Sequence, residues 1–173
     1  MWHAFIAHAF GIANTDSAPS TRVPVLLQQG GRDCGATCLA MVAVSHQPPP
    51  VRGAVPQHTN VLGQQQTFGV PRQRALNVRD LVVSGRRLGF HARGLRLGAD
   101  ELGELALPAI LHWRTGHYVV LVGVGRWFVI HDPAHGRRIL ARGSLARAFS
   151  GVAVELWPVS RPWTPFDQSR TRV

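Results

Sequence analysis

The chain has 173 residues, 45% of them hydrophobic and 16% charged, a composition that excludes a disordered chain and is long enough for one domain with a real core. The net charge is +10 and all 19 basic residues are arginine, adjacent only at Arg86-Arg87 and Arg137-Arg138. So scattered a set forms no basic stripe, so no nucleic-acid partner is expected, though an anionic membrane face or an acidic peptide stays open. Cys34 and Cys38 are too few for a disulfide framework, and the nine histidines are too dispersed for metal-ligand spacing, so no metal is expected.

Residues 1–22 begin with a short apolar run lacking a cationic start and continue as ANTDSAPSTR, a flexible lead rather than a signal peptide or a membrane span. Pro24 to Leu27 is a short extended approach. QQGGRDCGATCLAMVAV follows from Gln28, with Asp33 as an N-cap and a small-residue helix running from Cys34 to Val44. His46 to Arg74 carries PPP, further prolines and glycines, and QQQ, and reads as loop. The periodicity then predicts a helix over Val78–Leu88 stopped by Gly89, a strand over Phe90–Leu97 and a short helix over Ala99–Leu105. Strands are predicted at Ala109–Trp113, Tyr118–Val124, Trp127–His131, Arg138–Leu140 and Val152–Trp157, with a short helix at Ser144–Phe149 before the last. From Val159 the chain is polar and proline-broken, a tail or linker. Helices first and a clustered antiparallel sheet afterwards make an α+β fold.

A cysteine in the first turn of a buried helix is either a packed small hydrophobe or a nucleophile, because the helix N-terminus favours thiolate. Its potential partners come from the strands. If Gly125-Arg126 is a two-residue hairpin turn, Val124 pairs with Trp127 and Val119 lies opposite Asp132. His117 is then the diagonal neighbour of Asp132 on one face, roughly 7–8 Å away at the backbone and within reach of an imidazole–carboxylate bond. A four-residue turn would bring the two directly opposite, whereas an odd-numbered loop would separate their faces. His131 points to the other face. His91, His112 and His135 have no derivable partner and read as surface or satisfied polar residues, and Cys38, one turn after Cys34, reads as core.

QQGGRDCGATCLAMV, LPAILHW, GHYVVLVGV, FVIHDPAHGRRIL and FSGVAVELWP, in this order between about Val23 and Pro158, resemble the C39 family of bacteriocin-processing cysteine peptidases. Such domains usually stand at the N-terminus of peptidase-containing ABC transporters. The resemblance implies a papain-like fold over 23–158 and a linker over 159–173. It implies Cys34 as nucleophile, His117 as general base and acid, Asp132 as the orienting carboxylate and Gln28, rather than Gln29, as the oxyanion-hole amide. It also implies cleavage of a leader peptide after a double-glycine motif. The expected partners are that leader and a transporter membrane domain with an ATP-binding cassette, in cis or in trans. The peptidase domain itself would need no cofactor, ATP would serve only a full transporter, and the setting would be the cytoplasm or the cytoplasmic face of the inner membrane. SHQPPP stands where the family has a tyrosine-glycine pair, and the 46–74 stretch departs from the family pattern. Two alternatives are a non-catalytic substrate-docking relative and a papain-like hydrolase acting on another acyl donor.

Overall fold

A computed structural model describes residues 23–46 and 75–159. The expected lead over 1–22, nearly all of the 46–74 loop and the tail beyond 159 lie outside the described residues.

Helix α1 spans Cys34–Ser45, and every residue from Cys34 to Ala43 is buried. A helix apolar on all sides belongs in a core, and its small residues let neighbours approach closely. A Cβ added at Gly35 would lie 3.3 Å from Leu76 Cβ and 3.4 Å from Tyr118 Cδ2. Asp33 occupies the N-cap position, but its backbone is already helical and its side chain makes no cap bond, contrary to the expected cap. A turn from Gly30, whose carbonyl accepts the Asp33 N–H at 3.3 Å, sets this geometry. Helix α2 spans Val78–Arg87 and starts with a reciprocal capping box between Asn77 and Asp80. It is followed by Gly89 at φ +84°, the left-handed stop.

The strands are β1 (Phe90–Arg96), β2 (Ala109–Trp113), β3 (Tyr118–Val124), β4 (Phe128–Asp132), β5 (Gly136–Leu140) and β6 (Phe149–Pro158). A 3-10 turn lies at Glu101–Glu104, shorter than the expected helix, and helix α3 spans Arg142–Ala148. The last helix thus sits earlier than expected, because Phe149 leaves it to pair with Trp113 on β2. All six strands form one antiparallel sheet in the order β1-β6-β2-β3-β4-β5.

The β3–β4 hairpin differs from expectation in two ways. Val124 pairs with Phe128, not Trp127, so Gly125, Arg126 and Trp127 form a three-residue loop and Trp127 lies outside the strand. An odd loop alone would set His117 and Asp132 on different faces. Between Leu121 and Gly123, however, the register shifts, and Val122 is the extra residue of a bulge. Beyond it Val120 pairs with His131, the register of the two-residue turn, and its continuation sets Val119 opposite Asp132.

Alternation along β2 and β3 feeds two cores. Ile110, Tyr118 and Val120 face α1 and α2, packing with Leu39, Met41, Val42 and Leu81. Ala109, Leu111, Val119 and Leu121 face the other way, with Leu102, Leu145 and Phe149. Because both faces are covered, the central strands read as unbroken apolar runs. Across β1 and β6 a buried ion pair joins Arg93 to Glu155, with Nη2 2.7 Å and Nε 2.8 Å from Oε2. The backbone N–H of Ala106 satisfies Oε1 at 2.8 Å.

Candidate active site

The start of α1, the start of β3 and the end of β4 converge at one rim of the sheet. Cys34 opens the helix with 7% of its surface exposed. His117 follows a three-residue loop, Arg114-Thr115-Gly116, closed by the Trp113 N–H donating to the His117 carbonyl at 2.7 Å. Gly116 sits at φ +80°, where a side chain would be strained, and this turn aims the next residue inward. Asp132 ends β4 and is 1% exposed.

His117 Nε2 donates to Asp132 Oδ1 at 2.8 Å. With that nitrogen committed, Nδ1 is left for Cys34, to which His117 is also hydrogen-bonded. Burial alone would push the Cys34 thiol up. The bond to His117, backbone hydrogen bonds from Tyr118 and Gly35 and the imidazolium charge outweigh it, and the thiol falls below its ordinary range. The uncapped helix start matters here, because the N–H of Gly35 is free to face the sulfur. The bond to Cys34 raises His117 above the usual imidazole range, burial opposes it, and Asp132 reinforces it through its bond and its charge. Both shifts favour a thiolate–imidazolium pair. Burial would raise Asp132, but bonds from His117, the Ala134 N–H and His135 hold it below the ordinary carboxylate range.

Gln28 comes to the same rim by its backbone, donating its N–H to the Pro133 carbonyl at 2.8 Å. Its side-chain Oε1 is buried without a hydrogen-bond partner, whereas Gln29 is exposed. Cys38 is fully buried, and burial, followed by the charges of Cys34 and Asp132, pushes its thiol up. Burial, followed by the Cys34 charge, pushes the Tyr118 phenol up to about 12. The four expected residues therefore gather at one place, and Cys38 lies in the core.

Three histidines have the partners that spacing did not supply. His135 Nδ1 donates to Asp132 Oδ2 at 3.0 Å although the side chain is 66% exposed. His112 shares a hydrogen bond with Ser150 at 2.9 Å and its ring meets Tyr118. His91 stands against Trp157. His131, on the other face, is buried and donates Nδ1–H to the Pro24 carbonyl at 3.3 Å, while burial depresses its basicity. Arg138, at the edge strand, reaches Asp132 Oδ2 at 3.4 Å. The i,i+3 spacing of Asp132 and His135 across a Pro-Ala turn was the one available signal for the missed contact.

A family model described as the Peptidase C39 family matches residues 22–161. Over 140 residues the chain is 39% identical to a probable microcin-H47 secretion/processing ATP-binding protein of Escherichia coli. It is 37% identical to the colicin V secretion/processing ATP-binding protein of the same organism. Each match covers 80% of this chain but 19% of the relative, so the chain spans about a fifth of the length of these curated relatives. Among solved structures, a double glycine motif protease from an AMS/PCAT transporter, in complex with its leader peptide, is similar with TM-score 0.64 and 31% identity. That match covers 79% of this chain and 92% of the other. The peptidase domain of Streptococcus ComA, a bifunctional ABC transporter, has the same fold with TM-score 0.61 and 21% identity, over 79% of this chain and 98% of that one. Helices on an antiparallel sheet, with a cysteine at a helix start facing a sheet-borne His–Asp pair, make this a papain-like fold.

Proposed function

The chain belongs to the peptidase C39 family, and from that premise we propose that it is a cysteine endopeptidase that removes the leader from a secreted, bacteriocin-like peptide precursor after a double-glycine motif. The observation that carries this reading is the hydrogen-bonded line from Cys34 through His117 to Asp132, with a lowered thiol and a raised imidazole.

In the proposed reaction the Cys34 proton resides on His117 Nδ1 before substrate arrives. The thiolate attacks the carbonyl carbon of the scissile peptide, and the oxygen takes up the displaced electron pair. The Gln28 side-chain amide and the Cys34 backbone N–H donate to that oxyanion, where donors aimed at developing charge act most strongly. His117 then gives its proton to the departing amine, the C–N bond breaks, and the leader remains as a thioester on Cys34. Water, deprotonated by His117, attacks the thioester and the C–S bond breaks; the leader departs as a carboxylic acid that loses its proton to solvent, and the thiolate–imidazolium pair is restored. Asp132 keeps Nε2–H of His117 occupied, so that Nδ1 stays the working nitrogen. Nothing in this sequence of steps calls on a metal or a cofactor.

Two glycines suit a cleft that admits no side chain next to the scissile bond, and upstream apolar leader residues would dock as an amphipathic helix. Residues 23–158 are proposed as the peptidase domain. The proposed coupling to export is supported by the relatives, whose names join secretion to processing. On this reading a transporter membrane domain and an ATP-binding cassette act in cis or in trans, ATP is used there, and cleavage takes place at the cytoplasmic face of the inner membrane. Among the described residues no helix is long and apolar enough to cross a membrane.

The test is cleavage of a synthetic double-glycine leader peptide, followed by mass spectrometry. Cys34→Ala is expected to abolish cleavage while the peptide still binds, and intact cleavage by that variant would sink the mechanism. A substrate-docking role without chemistry would give the lowered thiol of Cys34 no use, and it predicts no cleavage by the wild-type protein either.

A further inference from the structure

The carboxylate of Asp132 is held by more groups than the reaction itself needs. Oδ1 accepts from His117 Nε2 at 2.8 Å and from the Ala134 N–H at 2.9 Å. Oδ2, on the far side from the imidazole, accepts from His135 Nδ1 at 3.0 Å and from Arg138 Nη1 at 3.4 Å. The last torsion of an aspartate is broad and two-fold, so donors on one oxygen leave the plane of the group free to swing. A donor on the second oxygen stops that swing. Arg138, at 3.4 Å, is long for a charge-assisted bond, so its hold is the weaker of the two. His135 is nearer. It is fixed by the same turn that supplies the Ala134 N–H, with its own backbone N–H donating to the Asp132 carbonyl at 3.2 Å. Gly136, at φ +80°, closes this turn into β5.

Resting on the peptidase reading above, we propose that His135 is a positioning residue, whose Nδ1–H holds the outer oxygen of Asp132 so that the inner oxygen stays aimed at His117. It touches neither the sulfur nor the scissile bond and acts only through Asp132. Among the described residues, the titratable and charged groups that face this carboxylate are His117 from the loop before β3, His135 from the turn, Arg138 from β5 and Cys38 from α1. Because the His135 side chain is largely in solvent, replacing it leaves both cores untouched.

The experiment measures iodoacetamide alkylation of Cys34 against pH, assigned by mass spectrometry, together with kcat and KM on a double-glycine leader peptide. In His135→Ala the alkylation midpoint should move upward. Alkylation at pH 7 and kcat should both fall about three- to tenfold, the effect of losing a charge-assisted bond to a buried carboxylate, with KM unchanged. His135→Asn can present an N–H where Nδ1 stood and should return both readouts toward wild type. Coincident profiles for His135→Ala and wild type overturn the role of His135 while leaving the peptidase reading intact. Asparagine as damaging as alanine also overturns it. An ordinary thiol profile for wild-type Cys34 instead overturns the ion pair itself, and the role of His135 with it.

Discussion

The backbone N–H of Gln28 donates to the carbonyl of Pro133 at 2.8 Å, so the residue after Asp132 anchors the residue six positions before Cys34. On the other side of Asp132, His131 holds the Pro24 carbonyl. The end of β4 thus presents the carboxylate and also pins, from both flanks, the strand-like approach that carries the glutamine.

If Gln28 supplies an oxyanion donor, its loss should be felt in turnover and not in thiol ionisation. Gln28→Ala is expected to lower kcat for leader cleavage about a hundredfold or more, the size of effect for one oxyanion-hole donor. Alkylation of Cys34 against pH should be unchanged. Gln29→Ala, at an exposed position, should cleave like wild type. Equal damage from the two substitutions would remove Gln28 from the mechanism.

The paired shifts of Cys34 and His117 predict a bell-shaped pH dependence. Cys34 is lowered, so its thiolate is present above its folded pKa and is lost as pH falls through that value. His117 is raised, so its imidazolium is present below its folded pKa and is lost as pH rises through it. The ion pair fills the interval between, and the two limbs of kcat/KM report values that belong to the pair. In the folded protein at neutral pH, iodoacetamide should label Cys34 well before Cys38, which is buried and raised. Equal labelling, or none at Cys34, would count against the nucleophile.

Away from the site, Arg93 and Glu155 predict a stability effect. Glu155→Ala leaves the buried Arg93 guanidinium without its carboxylate and the Ala106 N–H without its acceptor. The expected cost is about 3–5 kcal/mol, read as a lower urea midpoint. Replacing both residues, as Arg93→Met with Glu155→Leu, should recover the part of that loss that comes from the guanidinium, while the Ala106 N–H still lacks its acceptor. Additive losses would show that the pair itself contributes little.

Much of the site is legible because local rules place it. The small apolar run after Asp33 makes a helix with Cys34 in its first turn, and alternation in FVIHD sends His131 and Asp132 to opposite faces. The loop after β3 obeys no such rule. GRW can turn in two residues or three, and here Trp127 joins the loop while the Val122 bulge restores the pairing of Val120 with His131. Face assignment survived because two single-residue shifts cancelled. His135 was missed for a related reason: a largely exposed side chain carries no burial pattern, and its bond depends on how the Pro-Ala turn folds back.

From sequence alone came the α+β class, the cysteine at a helix start, the His–Asp pairing and, through family motifs, Gln28. The first three rest on periodicity and short spacings, which act over a few residues. Tertiary structure alone decided that Asp33 leaves the helix start uncapped and that Gln28 hangs from Pro133. It also decided that Arg93 and Glu155 meet in a core, and that Asp132 is gripped on both oxygens. Each of these depends on which backbone ends up beside which, and that is settled by the packing of the whole sheet against its helices rather than by any neighbouring residues in the chain.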